Sequence, residues 1–177
     1  MGAEGTSTHT SYLRPRRLAE TLEALSSQGG SIIAGGTDLY PQHVGKPLAD
    51  RIVDVSAVSE MRTIEVADNS VRIGGAVTWT EIASARLSPA FAALQQAASK
   101  IGSRQVQNRA TIAGNLCNAS PAADGVPPLL ILDAEVELTS IAGRRRLPLA
   151  EFITGYRKTA LRPGEILSAV IAPKGRA

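Results

Sequence analysis

Leu18, Leu22 and Leu25 recur at the spacing of one helix face, with Pro15 suited to a first turn and Gly29-Gly30 to a stop. The pattern predicts a helix over about residues 15–29. A β-branched run at 31–34 ends in Gly35-Gly36, and a second run at 51–55 follows roughly twenty residues later. The order helix, strand, loop, strand predicts a small α/β lobe over residues 12–56. Residues 1–11 are mostly small and polar and read as a disordered or tag-like start.

From residue 57 to 177 the pattern changes. Residues 63–66 and 71–73 alternate around Asp68-Asn69-Ser70, which predicts a hairpin opening an antiparallel sheet. Thr78, with Glu81 three residues on, has the spacing of a capping box for a helix to about Ala85. Pro89 opens another helix with Phe91, Leu94, Ala98 and Ile101 on one face, closed by Gly102. Residues 103–128 are polar, rich in Gly, Asn and Ser and without periodicity, so they read as one long loop. Residues 129–132 read as the end of a short helix, 134–139 as a strand, and Gly143 as the turn into a partner strand at 144–147. A helix over 148–153 and a last strand over 165–172 complete the pattern. The predicted class is α+β: a small α/β lobe, then a larger lobe with an antiparallel sheet and flanking helices.

Composition narrows the chemistry. The one Trp, three Tyr and two Phe leave an aliphatic core and no aromatic platform for nucleic acid. The formal charge of +3 comes from scattered arginines; the single dense run, Arg144 to Arg146, reads as the exposed edge of a hairpin. One cysteine, Cys117, allows no internal disulfide and no thiolate cluster, and points to a reducing cytoplasmic setting. His9 and His43 do not make a metal constellation. No apolar run reaches the ~18 residues of a membrane span, and no basic start leads into a signal-peptide core.

Two Gly-rich stretches about 75 residues apart carry the candidate chemistry. In Ile33-Ala34-Gly35-Gly36-Thr37-Asp38-Leu39, paired glycines after a strand let backbone N–H groups approach an anion closely, although the same pair also serves a plain turn. It is neither a Walker loop nor a Rossmann fingerprint. The second stretch runs from Arg109 to Asp124 and offers hydroxyl, amide and carboxylate groups on short side chains, which suits a polyhydroxy ligand or a solvated surface loop. Ile112 and Leu116 interrupt its polarity, as in a partly buried wall. Cys117 and Trp79 read as packing residues.

AGGTDL at 34–39, QVQNRATIAGNLCNASPAAD at 105–124 and FITGYRKTALRPGEIL at 152–167 appear in this order and at these intervals. With them the chain resembles, over residues 12–173, the FAD domain of xanthine dehydrogenases, aldehyde oxidases and bacterial carbon monoxide dehydrogenases. That domain is a branch of the superfamily that includes vanillyl-alcohol oxidase. The resemblance implies FAD held noncovalently between the lobes, with His43 no covalent anchor. It assigns Ala34, Gly35, Gly36 and Thr37 to the phosphates, with Ile33 leading in and Asp38 and Leu39 completing the turn. It brings Thr111, Gly114 and Asn115, with Ala110 beside them, to the diphosphate, and Asn118 toward the ribityl chain. Asp124 would accept from a hydroxyl of the nucleotide, and Leu161 would pack near the rings. Arg157 and Lys158 stay open between the phosphates, a partner subunit and a solvated turn.

The resemblance further implies an electron-transfer component. It would take electrons from [2Fe-2S] clusters on an iron–sulfur subunit, fed by a molybdopterin-binding subunit, and pass them to NAD or another acceptor. Alternatives are a stand-alone flavin-dependent oxidoreductase, or a structural module that no longer binds FAD. Flavoprotein subunits of the family usually continue into a further C-terminal domain, whereas this sequence stops at Ala177, which suggests a truncated chain or a short form completed by another subunit.

Overall fold

A computed structural model describes residues 10–46, 48 and 51–174; the expectation of a disordered start over 1–9, and residues 175–177 of the larger lobe, lie outside the described residues. The smaller lobe is built from β1 (Ser11–Leu13), α1 (Leu18–Gln28), β2 (Ser31–Ile33), α2 (Leu39–Gln42) and β3 (Arg51–Asp54). Its strands are parallel in the order β1-β3-β2, with β3 central and its Ile52 and Val53 fully buried.

Two sequence expectations change here. Ser11, assigned to the disordered start, pairs with Arg51, and β1 has three exposed residues whose strand character comes from β3 and not from any alternation. The Tyr12 hydroxyl donates to the Asp54 carboxylate across this pair; that bond, with burial, pushes the phenol up to about 12. Helix α1 begins at Leu18 and not at Pro15, because residues 14–17 bridge from β1 and Arg17 is extended (φ −124°, ψ 147°). The first turn is capped from outside: Glu60 accepts from the Leu18 N–H at 3.2 Å.

A 3-10 turn at Ser59–Met61 leads into β4 (Ile64–Val66), β5 (Ser70–Gly74), α3 (Trp79–Ser84), α4 (Ala92–Ala98), α5 (Arg104–Gln107), α6 (Ile112–Asn118) and α7 (Val126–Ile131). Then come β6 (Glu135–Ser140), β7 (Gly143–Pro148), α8 (Leu149–Phe152), β8 (Ile153–Gly155), β9 (Lys158–Thr159) and β10 (Ile166–Pro173). The Thr78–Glu81 capping box forms as predicted, with both reciprocal hydrogen bonds present. The segment 103–128 is not one loop: it contains α5, α6 and the start of α7. These helices of four, seven and six residues are too short to show a periodicity, and Ser103 and Thr111 cap the first two.

The larger sheet is antiparallel, in the order β4-β5-β10-β6-β7. The last strand in the sequence is therefore its centre, and seven of its eight residues are buried. One face of the sheet, with Val71, Ile73, Val136 and Leu138, packs under Trp79, Ile82, Phe91, Leu94, Leu116 and Phe152 from the helices. A second core joins the lobes: Leu18, Leu25 and Val53 of the smaller meet Met61, Ala76 and Ile166 of the larger. At about 25 cal/mol per Å² of apolar surface removed from water, this junction holds the lobes in one arrangement.

A bulge in β10 at Ser168 turns its hydroxyl onto the Glu137 carboxylate at 3.0 Å. Glu137 also accepts from Arg72 at 3.1 Å and Arg146 at 3.3 Å, a network on the sheet face that α1 flanks, opposite the helices of the larger lobe. Arg145, expected with its neighbours on an exposed edge, faces the other way by strand alternation. It grips Glu165 through Nε and Nη2 at 2.7 and 2.8 Å. Burial alone would raise the Glu137 carboxyl, but Arg72, Ser168 and Arg146 hold it below its usual range; the Arg145 fork does the same for Glu165. Depressed folded values stabilise the protein above the unfolded glutamate value of about 4.3, and that stability disappears as pH falls through the folded values. Urea titrations from pH 7 down to pH 3 should show stability falling below about pH 4.5, with a shallower fall in Glu165→Gln; an equal slope in both proteins would contradict the assignment.

Candidate functional site

The stretch between α5 and α6 is laid along the chain between β5 and α3 by backbone hydrogen bonds. Trp79 N–H donates to Ala110 C=O (3.2 Å), Ile112 N–H to Val77 C=O (3.0 Å) and Ala113 N–H to Gly75 C=O (3.1 Å). Thr78 and Thr111 form an isolated antiparallel bridge at the same place. The second Gly-rich stretch is thus pinned to the larger sheet through Gly75, whose N–H donates to Ser168 C=O of β10.

Against it comes the first stretch, leaving β2. A Cβ on Gly35 would stand 2.0 Å from the Arg109 carbonyl oxygen and 2.9 Å from the Ala110 Cα. Only a residue without a side chain lets the two backbones meet there. Gly36 follows in the left-handed region (φ 73°) beneath the Tyr40 ring. The turn closes through Tyr40 N–H to Gly36 C=O at 3.1 Å. No described backbone carbonyl accepts from the N–H groups of Gly35, Gly36, Thr37 or Asp38, which leaves four donors in a row.

Between the stretches lies a cleft of about 470 Å³. All the residues singled out from the sequence line it except Leu161, which is half-buried against the main core. Asp38 and Asp124 are exposed carboxylates at its rim, and Ile33 is buried at its floor. The Thr111 hydroxyl accepts from Gly114 N–H at 3.1 Å, capping α6, and keeps its own proton to donate toward a ligand. Asn118 Oδ1 accepts from Arg157 Nη1 at 2.8 Å.

Several lining residues were not singled out from sequence as site residues: Trp79, Ile101, Val106, Ser120 and Arg157 among them. Trp79 packs as expected, with no exposed surface, yet its ring also forms part of the wall. A Cβ on Gly125 would stand 2.5 Å from Trp79 Cη2 and 2.9 Å from Asn115 Oδ1, so ring edge, amide and backbone meet at one point. Asn115 Oδ1 and Trp79 Nε1 are both enclosed without a hydrogen-bond partner among the described residues. Such groups cost about 1–3 kcal/mol each unless a ligand or fixed water engages them. Burial pushes the Cys117 thiol up to about 12, which keeps it protonated at neutral pH. No group of His, Cys, Asp and Glu among the described residues is arranged to hold a metal, and no described helix is long and apolar enough to cross a membrane.

An open row of N–H donors suits a diphosphate, and an enclosed acceptor with two rim carboxylates suits hydroxyl and amine donors. The volume falls within the usual range for small-molecule and cofactor sites. These features fit a dinucleotide such as FAD.

The family comparison agrees with that geometry. Residues 7–175 match the family described as the FAD binding domain in molybdopterin dehydrogenase, and the chain belongs to that family. It is 38% identical over 167 residues to the xanthine dehydrogenase FAD-binding subunit of Escherichia coli O157:H7, covering 92% of this chain and 57% of that protein. It is 39% identical over 170 residues to the nicotinate dehydrogenase FAD-subunit of Eubacterium barkeri, covering 90% and 57%. Among solved structures, carbon monoxide dehydrogenase from Hydrogenophaga pseudoflava superposes with a TM-score of 0.86 at 26% identity, over 96% of this chain and 60% of that one. The chain therefore spans a little over half the length of these relatives. It is an FAD-binding domain of the molybdopterin dehydrogenase type.

Gly35→Ala should lower stability by about 1–3 kcal/mol, since the clash is with backbone that cannot rotate away. Thermal melts followed by circular dichroism should show a Tm several degrees lower; an unchanged Tm would mean the stretches do not touch.

Proposed function

We propose that this chain is the FAD-binding, electron-transferring part of a molybdenum hydroxylase of the xanthine dehydrogenase type. The observation that carries the reading is the convergence of two Gly-rich stretches, about 75 residues apart, on one cleft. An iron–sulfur subunit supplies electrons drawn from a molybdopterin-binding subunit, and NAD or another acceptor takes them, in a cytoplasmic complex. When bound, flavin handles electrons singly or in pairs, which links one-electron donors to a two-electron acceptor.

The chain's own part is binding and orientation. The N–H groups of Gly35, Gly36, Thr37 and Asp38 hold the diphosphate, with the Thr111 hydroxyl donating from the facing wall. Asn115 Oδ1 gains the partner it lacks, and Asp124 accepts from a nucleotide hydroxyl. Trp79, Val106 and Ile101 keep water from the apolar part of the ligand. No residue here needs to move a proton in the chemical step.

The purified chain should bind FAD and release it intact on denaturation. Asn115→Ala should weaken binding by about 1–3 kcal/mol, as for a lost buried hydrogen bond, and Asp124→Ala by a similar amount, as for a lost hydrogen bond to a charged group, read by calorimetric titration. Unchanged affinity in both would remove the site assignment. Failure of the unaltered chain to bind FAD would favour a purely structural module. Oxidation of a substrate by the chain alone would favour an independent flavoenzyme.

A further inference from the structure

Among the described residues lining the cleft, Asp38, Asp124 and Arg157 carry charge, and Arg157 is the one cation. It arrives from the turn between β8 and β9, far along the chain from both Gly-rich stretches, and two hydrogen bonds fix it. Its backbone N–H donates to the Ala119 carbonyl at 3.1 Å, and its Nη1 donates to Asn118 Oδ1 at 2.8 Å. Both Ala119 (φ 44°) and Arg157 (φ 49°) take left-handed backbone conformations at this junction. Its guanidinium also lies 5.9 Å from the centre of the Tyr156 ring.

The side-chain bond settles what Asn118 offers. A guanidinium only donates, so the atom facing it is the amide oxygen, and the Asn118 NH₂ group is left to donate elsewhere. Arg157 has further N–H groups of its own. The cleft is therefore polarised: Asp38, Asp124 and the enclosed Asn115 Oδ1 accept, while Arg157 and Asn118 together present a charge-assisted cluster of donors. A ligand group placed there has to be electron-rich and acceptor-only.

We propose that Arg157, with the Asn118 amide it orients, is a recognition site in this cleft for an acceptor-only, electron-rich edge of the bound nucleotide. Two parts of FAD have that chemistry, the diphosphate oxygens and a flavin carbonyl together with the unprotonated ring nitrogen beside it (C2=O with N1, or C4=O with N5). The proposal rests on the FAD reading above.

The test titrates FAD, ADP and riboflavin separately into the 177-residue chain and its Arg157→Gln and Arg157→Lys variants, at low and high salt. Arg157→Gln should raise the FAD dissociation constant about three- to tenfold at low salt, as for a lost charge-assisted contact. Arg157→Lys should recover part of the loss, and high salt should shrink the difference. A parallel loss for ADP but not riboflavin identifies the diphosphate, and the reverse pattern identifies the ring edge; either supports the proposal. Melting temperature serves as the control for folding. Equal FAD affinity in unaltered chain and Arg157→Gln overturns the proposal while leaving the FAD cleft intact, as does a loss that high salt does not reduce. Absence of FAD binding by the unaltered chain overturns both.

Discussion

The contact of Gly35 with the Arg109–Ala110 backbone is the constraint on which the site depends. Two chain segments meet at a separation that a single methyl group would prevent, and the cleft is the space beyond their contact. Neither segment builds a binding surface alone. The first has open donors and almost no side-chain volume, and the second has short polar side chains on and around one brief helix, α6.

That contact holds because each side is anchored independently. The first stretch leaves β2, which is tied to β3 through Val55 N–H to Ile33 C=O at 2.8 Å. The second is sewn to residues 75–79, which hang from β10 through Gly75. The shared core of Leu18, Leu25, Val53, Met61, Ala76 and Ile166 then fixes one lobe on the other. Close-packed apolar interfaces deform little, so this shared core limits how far the two walls of the cleft can move apart. The final strand is central to the larger sheet, which makes the site depend on residues about 130 positions from the first loop.

Much of this could be read in advance. The Thr78–Glu81 capping box, the hairpin of β4 and β5, the helix face of Phe91, Leu94 and Ala98, and both Gly-rich stretches stand in the structure where the sequence put them. What escaped were pieces too short to carry a period: β1, α2, α5, α6 and the β8–β9 pair. Their conformations come from partners elsewhere, as when β3 makes a strand of Ser11 to Leu13 or Glu60 sets the start of α1.

By itself the sequence determined the α+β class and the two loops, because alternation, caps and paired glycines act over a few neighbouring residues. Only tertiary structure decided that Gly35 faces Arg109, that Arg145 turns inward to Glu165, that Leu161 joins the core, and that Arg157 reaches Asn118. Each of these pairs residues distant in sequence. Their meeting follows from sheet order and from packing of the lobes, which no local pattern of residues contains.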